Sequence, residues 1–548
     1  MKILNFIFSA ALFISCSSKP DGILYYNAKV YTMDKENPLI DRFVVLNGKF
    51  KTTDSGEISE LSLLGIDSID LHGKTVIPGL IDAHAHLMNL GNSLINLSLV
   101  GDTSVQQIQM KLEQFSSNRS ELNWLQGRGW DQNLWKEKEF PTSSDLDLIV
   151  SSRPVVLERV DGHAIWVNSN AMKLAEIHST TPDPEGGKII RDNVGNPTGV
   201  FVDNATNLIT KYIPLPSEKE NLEALKVAIK ECNKFGLTGI HDAGVSFEIL
   251  KLMKKHLHED WFNLRIYGMI DGDSTAWKVY RKNGPEIGLN DYRLTVRSLK
   301  LYGDGALGSR GAMLIRPYSD DSSNSGLPVT SFDKLKTLSR EAIDAGFQVN
   351  IHAIGDRANR DVISIFDAVL PKDGIDRRFR IEHVQVIQLS DIPKMADRGI
   401  IASMQPIHAT SDMPWAEKRV GKERIKGAYA WRTILNKGGR LAFGSDFPVE
   451  SVNPFLGIYA AATRQDVNGF PPGGWHPEQT LNILEAVQGF TTWASFASFT
   501  ENIVGQIKPG QYADFLVLDR NIFEILPNKI PETKVEMLYF QGKAMRNE

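Results

Sequence analysis

Two cysteines, Cys16 and Cys232, are all the thiol chemistry in this chain of 548 residues. A disulfide framework is thereby excluded, and a chain this long can bury a core without one. Internal repeats and low-complexity tracts are absent, which excludes an array built from copies of one unit. Basic charge is not in excess. The net charge is −5, and no long basic run or basic aromatic patch occurs, so nothing speaks for nucleic acid as a partner. Long apolar runs are missing beyond the extreme N-terminus, so no spanning helix is expected elsewhere. What is present is a globular composition, 42% apolar and 23% charged. Its length predicts either more than one domain or a large barrel.

The single apolar run is MKILNFIFSAALFISCSSK, a Lys and a short apolar segment followed by small residues before Cys16. The ending FISC resembles a bacterial lipobox, where processing precedes the cysteine and lipid is added to its sulfur; the alternatives are a plain signal peptide and a buried first strand. The resemblance implies a leader over 1–15, export, and a lipid-anchored lipoprotein in the bacterial cell envelope, tethered to a membrane at Cys16. Cys232 is then the one free thiol, and no intrachain disulfide can form.

After Cys16 come short β-type runs broken by Asn-Gly and Gly signals: DGILYYNAKVYTMD, DRFVVLNGKF and IDSIDLHGKTVIPG. GQIKPGQYADFLVLDR and KVEMLYFQGKAM close the chain in the same style. Both ends therefore read as strands of one small all-β unit. Between them, strand-like runs alternate with helical stretches, as βα units around a parallel sheet do. Eight runs end in polar or glycine-rich turns: GLIDAHAH, LTGIHDAG, LRIYGMI, RSLKLYGDG, FQVNIHAIGD, FRIEHVQ, GIIASMQP and RLAFGSDFP. Eight is the count of an α/β (β/α)8 TIM-type barrel, whose active site lies at the C-terminal strand ends. The second run arrives late, which predicts an insertion over about 90–235. That insertion carries the strand-like run RPVVLERVDGHAIWVNS. It also carries GGKIIRDNVGNPTGVFVD, a hairpin turning at Asn-Val-Gly-Asn.

The stretch VIPGLIDAHAHL sets His84 and His86 one residue apart. Strand side chains alternate between faces, so both imidazoles point the same way, as a shared metal ion requires. One such pair is weak evidence, because a lone His at a strand end is usually a hydrogen-bonded structural residue. The other strand ends add Lys300, His352, His383 and Asp446. Each has an ordinary explanation by itself, and Asp446 in GSDFP is a fair turn cap. Together they place metal-ligating types at the same ends of five of the eight strands.

At this point PGLIDAHAHL, SLKLYGDGALGSR, NIHAIGDRANRD, RIEHVQ and GSDFPV resemble the amidohydrolase superfamily. More narrowly they resemble its YtcJ-like branch, which includes N-substituted formamide deformylase. The closing GQIKPGQYADFLVLD is similar to the superfamily's C-terminal signature. The resemblance implies a metal-bearing barrel over 79–495, flanked by a β-sandwich built from 16–78 and 496–548. It implies ligand roles for His84, His86, His352, His383 and Asp446 toward one or two divalent ions, with zinc expected. An ammonium beside a divalent cation is repelled, so Lys300 must lose its proton or change its charge. In many members the equivalent lysine becomes a carbamate bridging two metals; the other reading leaves Lys300 ion-paired to Asp304 beside one metal.

These roles imply hydrolysis of an amide-like C–N bond in a small molecule by metal-bound hydroxide. His84 and His86 hold one ion, His352 and His383 the other, and Asp446 moves the proton from water to the leaving group. The alternatives are a deaminase, against which Lys300 speaks, an ester or lactone hydrolase, and a non-catalytic binding lipoprotein. The loop GDGALGSR offers backbone N–H groups and Arg310 for an anionic substrate group, or is a tight turn alone. His163 in the insertion is a candidate for closing over the substrate. His241 at the end of the second strand either faces the mouth or bonds a neighbouring turn. His72, His178, His256, His258, His408 and His476 show no metal spacing. Trp130, Trp135, Trp415 and Trp475 read as loop-packing residues rather than pocket walls.

Overall fold

Eight short apolar runs, buried along both faces, line up as parallel strands in a computed structural model. The structure describes residues 22–545 apart from 64, 160, 161, 163, 185, 273, 372 and 373. The barrel strands are β1 (Leu80–Ala85), β2 (Leu237–Val245), β3 (Arg265–Asp271), β4 (Leu294–Tyr302), β5 (Gln348–Ala353), β6 (Arg380–His383), β7 (Ile401–Met404) and β8 (Arg440–Phe443). Each pairs in parallel with the next, in chain order from β1 to β8. Both faces are covered, which is why the runs are continuously apolar rather than alternating.

The nearly closed barrel is fastened between its first and last strands just beyond the end of β8. The Asp446 N–H donates to the His84 carbonyl at 2.7 Å, and the Ser445 hydroxyl donates to Asp82 Oδ2 at 2.6 Å. Gly444 permits this approach, because a Cβ there would stand 2.4 Å from the His84 nitrogen. The seam of the barrel thus coincides with the residues expected to carry chemistry.

The insertion leaves by the helix Leu87–Ile95 and returns by Glu218–Lys234, and the two helices touch at Gly91. Between them lies a six-stranded sheet, ordered Gly187–Arg191, Pro197–Asp203, Ala164–Val167, Val155–Arg159, Leu125–Trp130, Leu97–Ser98. Period-two alternation sends Val155, Leu157 and Trp166 to one core and Val156, Ile165 and Phe201 to another. The run RPVVLERVDGHAIWVNS is accordingly two antiparallel strands rather than one. Gly187–Arg191 and Pro197–Asp203 pair antiparallel across the expected Asn-Val-Gly-Asn turn. Trp130 and Trp135 pack in the first of these cores, while Trp415 and Trp475 are half-buried against the barrel.

The two termini meet. Thr75–Pro78 pairs antiparallel with Phe515–Leu518, inside a six-stranded sheet completed by Lys29–Tyr31, Leu39–Ile40, Val535–Phe540 and Lys543–Met545. A four-stranded sheet from Gly22–Tyr26, Phe43–Leu46, Lys49–Thr52 and Asp67–Asp70 shares a core with it. Tyr25 sits at the centre, 5.1 Å from both Phe43 and Phe515. Arg265 at the start of β3 reaches Asp514 by two bonds, of 2.6 and 3.1 Å, and ties this unit to the barrel. Among the described residues no helix is long and apolar enough to cross a membrane. Cys16 lies outside them; Cys232 is buried in a helix.

Candidate metal centre

β1 ends at Ala85, so His84 sits in the strand while His86 opens the helix Leu87–Ile95. Both imidazoles still reach one carboxylate. His86 Nε2 is 3.1 Å and His84 Nε2 is 3.7 Å from Asp446 Oδ1. His383 closes β6, with its ring centre 4.8 Å from that of His84 and 4.5 Å from that of His352. Lys300 in β4 places Nζ 3.3 Å from His84 Nε2. Donor atoms of His84, His383 and Asp446 fall within 4.8 Å of one another. Six residues from five separate stretches of the chain are neighbours at the strand ends.

A layer behind them sets their orientation. Glu382 Oε2 lies 2.5 Å from His84 Nδ1, and Gln405 Oε1 lies 2.8 Å from His383 Nδ1. Each acceptor holds the proton on Nδ1 and leaves the Nε2 lone pair for the cluster. Glu382 is in turn held by Arg380, at 2.8 and 3.1 Å. The Arg380 guanidinium is fully buried and also donates to the Ala83 carbonyl at 2.6 Å, Ser403 Oγ at 2.8 Å and His241 Nδ1 at 2.8 Å. One side chain therefore ties β1, β2, β6 and β7 together beneath the cluster. The backbone is strained in the same place, with φ of +79° at His383, +44° at Val384 and +64° at Asp446. Such values persist where the surrounding structure enforces them, and they gather at functional sites.

Burial, aided by the Lys300 charge, pushes the imidazoles of His84 to about 4 and of His352 to about 3, and burial also drives His383 far down. All three are neutral at physiological pH, the form that binds metal. Burial lowers Lys300 to about 8. At Asp446 burial acts upward, but the His86 hydrogen bond and the nearby His84, His383 and His408 outweigh it, so the carboxyl stays ionised. Burial raises Asp82 to about 7.

His352 Nε2 and His408 Nε2 are buried with no hydrogen-bond partner. Orphaned imidazole nitrogens beside carboxylates, Asp304 at 3.7 Å from His352 and Asp446 at 3.8 Å from His408, are a donor set suited to a divalent metal ion.

The remaining candidates are placed differently. Asp304 accepts N–H bonds from Met313, Ile354 and Gly355 at 2.8, 3.0 and 2.9 Å, which pins the loop after β4 to the one after β5. Its carboxylate is spent on backbone, not on Lys300. Arg310 pairs with Asp320 at 2.9 Å on the surface, and Asp320 also takes Arg419. In the glycine-rich loop the N–H groups of Gly305, Gly311 and Ala312 bond carbonyls of the same loop. His241 is buried and bound to Arg380 rather than to a turn. His163 lies outside the described residues. His408, which carries no spacing signal, enters the site from the helix Pro406–Asp412, its Nε2 3.8 Å from Asp446 Oδ2 and its ring stacked on His383. Nothing in the sequence points to it beyond its place four residues after the end of β7.

A model of the amidohydrolase family (Amidohydro_3) matches residues 67–545. The chain belongs to that family. It is 33% identical to the YtcJ protein of Bacillus subtilis (strain 168), over 95% of this chain and 99% of that one. It is 26% identical to N-substituted formamide deformylase of Arthrobacter pascens, over 95% of this chain and 97% of that one. An uncharacterized metal-dependent hydrolase from Pyrococcus horikoshii OT3 superposes with a TM-score of 0.78 at 26% identity, covering 92% of this chain and 99% of that one. The chain is thus a YtcJ-like amidohydrolase, its nearly closed barrel arranged around a donor set for a divalent ion.

Proposed function

We propose that this amidohydrolase cleaves a non-peptide, amide-like C–N bond in a small molecule, using one or two divalent ions of the zinc kind. The supporting observation is the meeting of His84, His86, His352, His383 and Lys300 around the ionised Asp446. The chemistry such an ion supplies when bound is Lewis acidity, which polarises a carbonyl and makes a water acidic. Asp446 accepts the proton of the attacking water while oxygen adds to the carbonyl carbon. The same proton passes to the nitrogen as the C–N bond breaks. Glu382 and Gln405 keep the imidazoles in the tautomer that presents Nε2. The test is a panel of N-formyl, N-acyl and cyclic amides run on wild type and Asp446→Asn, with bound metal measured in both. The variant is expected to keep metal and lose most turnover; hydrolysis at the parent rate refutes Asp446 as proton carrier.

Lys300 is read as carboxylated. Its neutral amine would add to carbon dioxide, forming an N–C bond and releasing a proton, and the new carboxylate supplies oxygen ligands. In support, Nζ is buried against His84 Nε2 and the alternative partner, Asp304, is committed elsewhere. The same reading divides the chain into a leader over 1–15, a terminal β-sandwich from 16–78 and 496–548, and a barrel over 79–495. It anchors the mature protein by lipid at Cys16 in the bacterial envelope, with mass spectrometry of the mature N-terminus as the check.

A further inference from the structure

A cavity of about 190 Å³ adjoins the metal centre on the β2 side and has no part in the chemistry above. His86 forms the wall it shares with the cluster; Met88, Asn89, Asp242, Ser246 and Ile249 complete most of the rest. No lysine or arginine lines it among the described residues. Asp242 is its one acidic group, only 4% exposed. Its Oδ1 accepts the Leu87 N–H at 3.0 Å, which fixes the carboxylate against the residue after His86. Its Oδ2 is buried and receives no hydrogen bond. The other acids around the mouth differ. Glu382 is met by Arg380 and His84, Asp82 by Ser445 and the His84 N–H, and Asp304 by three N–H groups. A buried carboxylate oxygen without a donor is costly, and it is the feature that a ligand's N–H relieves.

We propose that this cavity is a substrate subsite for a cationic nitrogen, a primary ammonium on a short alkyl arm, received by the Asp242 carboxylate. The proposal rests on the amide-hydrolysis reading for the reaction and adds the substituent that the substrate carries. The cavity suits such an arm in size: it holds a few heavy atoms and excludes a polymer. Its charge fits too, because the wall bears one carboxylate and no lysine or arginine, and its imidazole, His86, turns Nε2 to Asp446 at 3.1 Å. His86 links the subsite to the reaction, so an anchored ammonium sets how far the amide carbon sits from the cluster.

The test uses the full chain as purified with metal and two probes, N-(4-aminobutyl)acetamide and N-pentylacetamide, which differ by an ammonium in place of a methyl. Calorimetry on wild type is expected to show the ammonium probe bound at least about tenfold more tightly, as a charge-assisted hydrogen bond gives. Asp242→Asn is expected to erase that preference with metal content unchanged. Equal binding of the two probes by wild type overturns the proposal without any variant. A preference that survives Asp242→Asn also overturns it, and so does loss of metal in that variant, which would assign Asp242 to holding His86 instead. Acetate release is followed in the same samples. A binding preference with no acetate sinks the amide reading and leaves the subsite; acetate without preference does the reverse.

Discussion

Replacing Glu382 by Gln tests the layer behind the metal centre. The carboxylate takes two bonds from Arg380 and holds His84 Nδ1 at 2.5 Å, all without solvent contact. Gln keeps the shape and removes the charge, so the buried Arg380 guanidinium loses its counterion. Breaking one partner of a buried pair costs about 3–5 kcal/mol. At about 2.1 cal/mol/K of unfolding entropy per residue, a chain of 548 residues shifts by about 1 °C per kcal/mol, so Tm should fall by about 3–5 °C. His84 also loses its fixed tautomer, and outer partners of this kind are worth about 10–100-fold in metal affinity. The assay is a thermal melt beside a competitive metal titration. A double-mutant cycle isolates the pair: Arg380→Met should cost less on the Glu382→Gln background than alone, because the orphaned charge is then gone. If Glu382→Gln melts and binds metal as wild type does, the carboxylate does not orient His84.

Lys300→Ala should lower bound metal, with a short carboxylic acid partly restoring activity; unchanged metal content by elemental analysis would refute a bridging role. Gly444→Ala should displace the end of β8 from β1, since the new Cβ would stand 2.4 Å from both Asp82 Oδ1 and the His84 nitrogen. Loss of metal binding together with a lowered Tm is the expected result, and a wild-type melt would show that the seam can open freely. Asp514→Ala should destabilise the fold by about 3–5 kcal/mol by stranding the buried Arg265, read by urea denaturation, with the metal content of the folded fraction unchanged.

All eight barrel strands were legible because each is a local event, a short apolar run ended by a turn. The pairing of the two termini was legible for the same reason, down to EMLYF as part of the strand Val535–Phe540. His84 and His86 were legible through strand alternation, although β1 ends before His86 and the helix start completes the approach. The glycine-rich loop after β4 left two readings open, because adjacency in the chain says nothing of direction. Arg310 turns outward to Asp320, and Asp304 turns inward to backbone N–H groups.

The sequence by itself therefore determined which residues stand at strand ends, since the period of two and the turn residues are written within a few positions. Only the tertiary structure decided what stands behind and beside them. Arg380 binding four strands, His408 over Asp446, and the spare oxygen of Asp242 all join residues far apart in the chain. Those pairings depend on how the nearly closed barrel brings strand ends together, and a linear pattern carries no record of distance across a barrel.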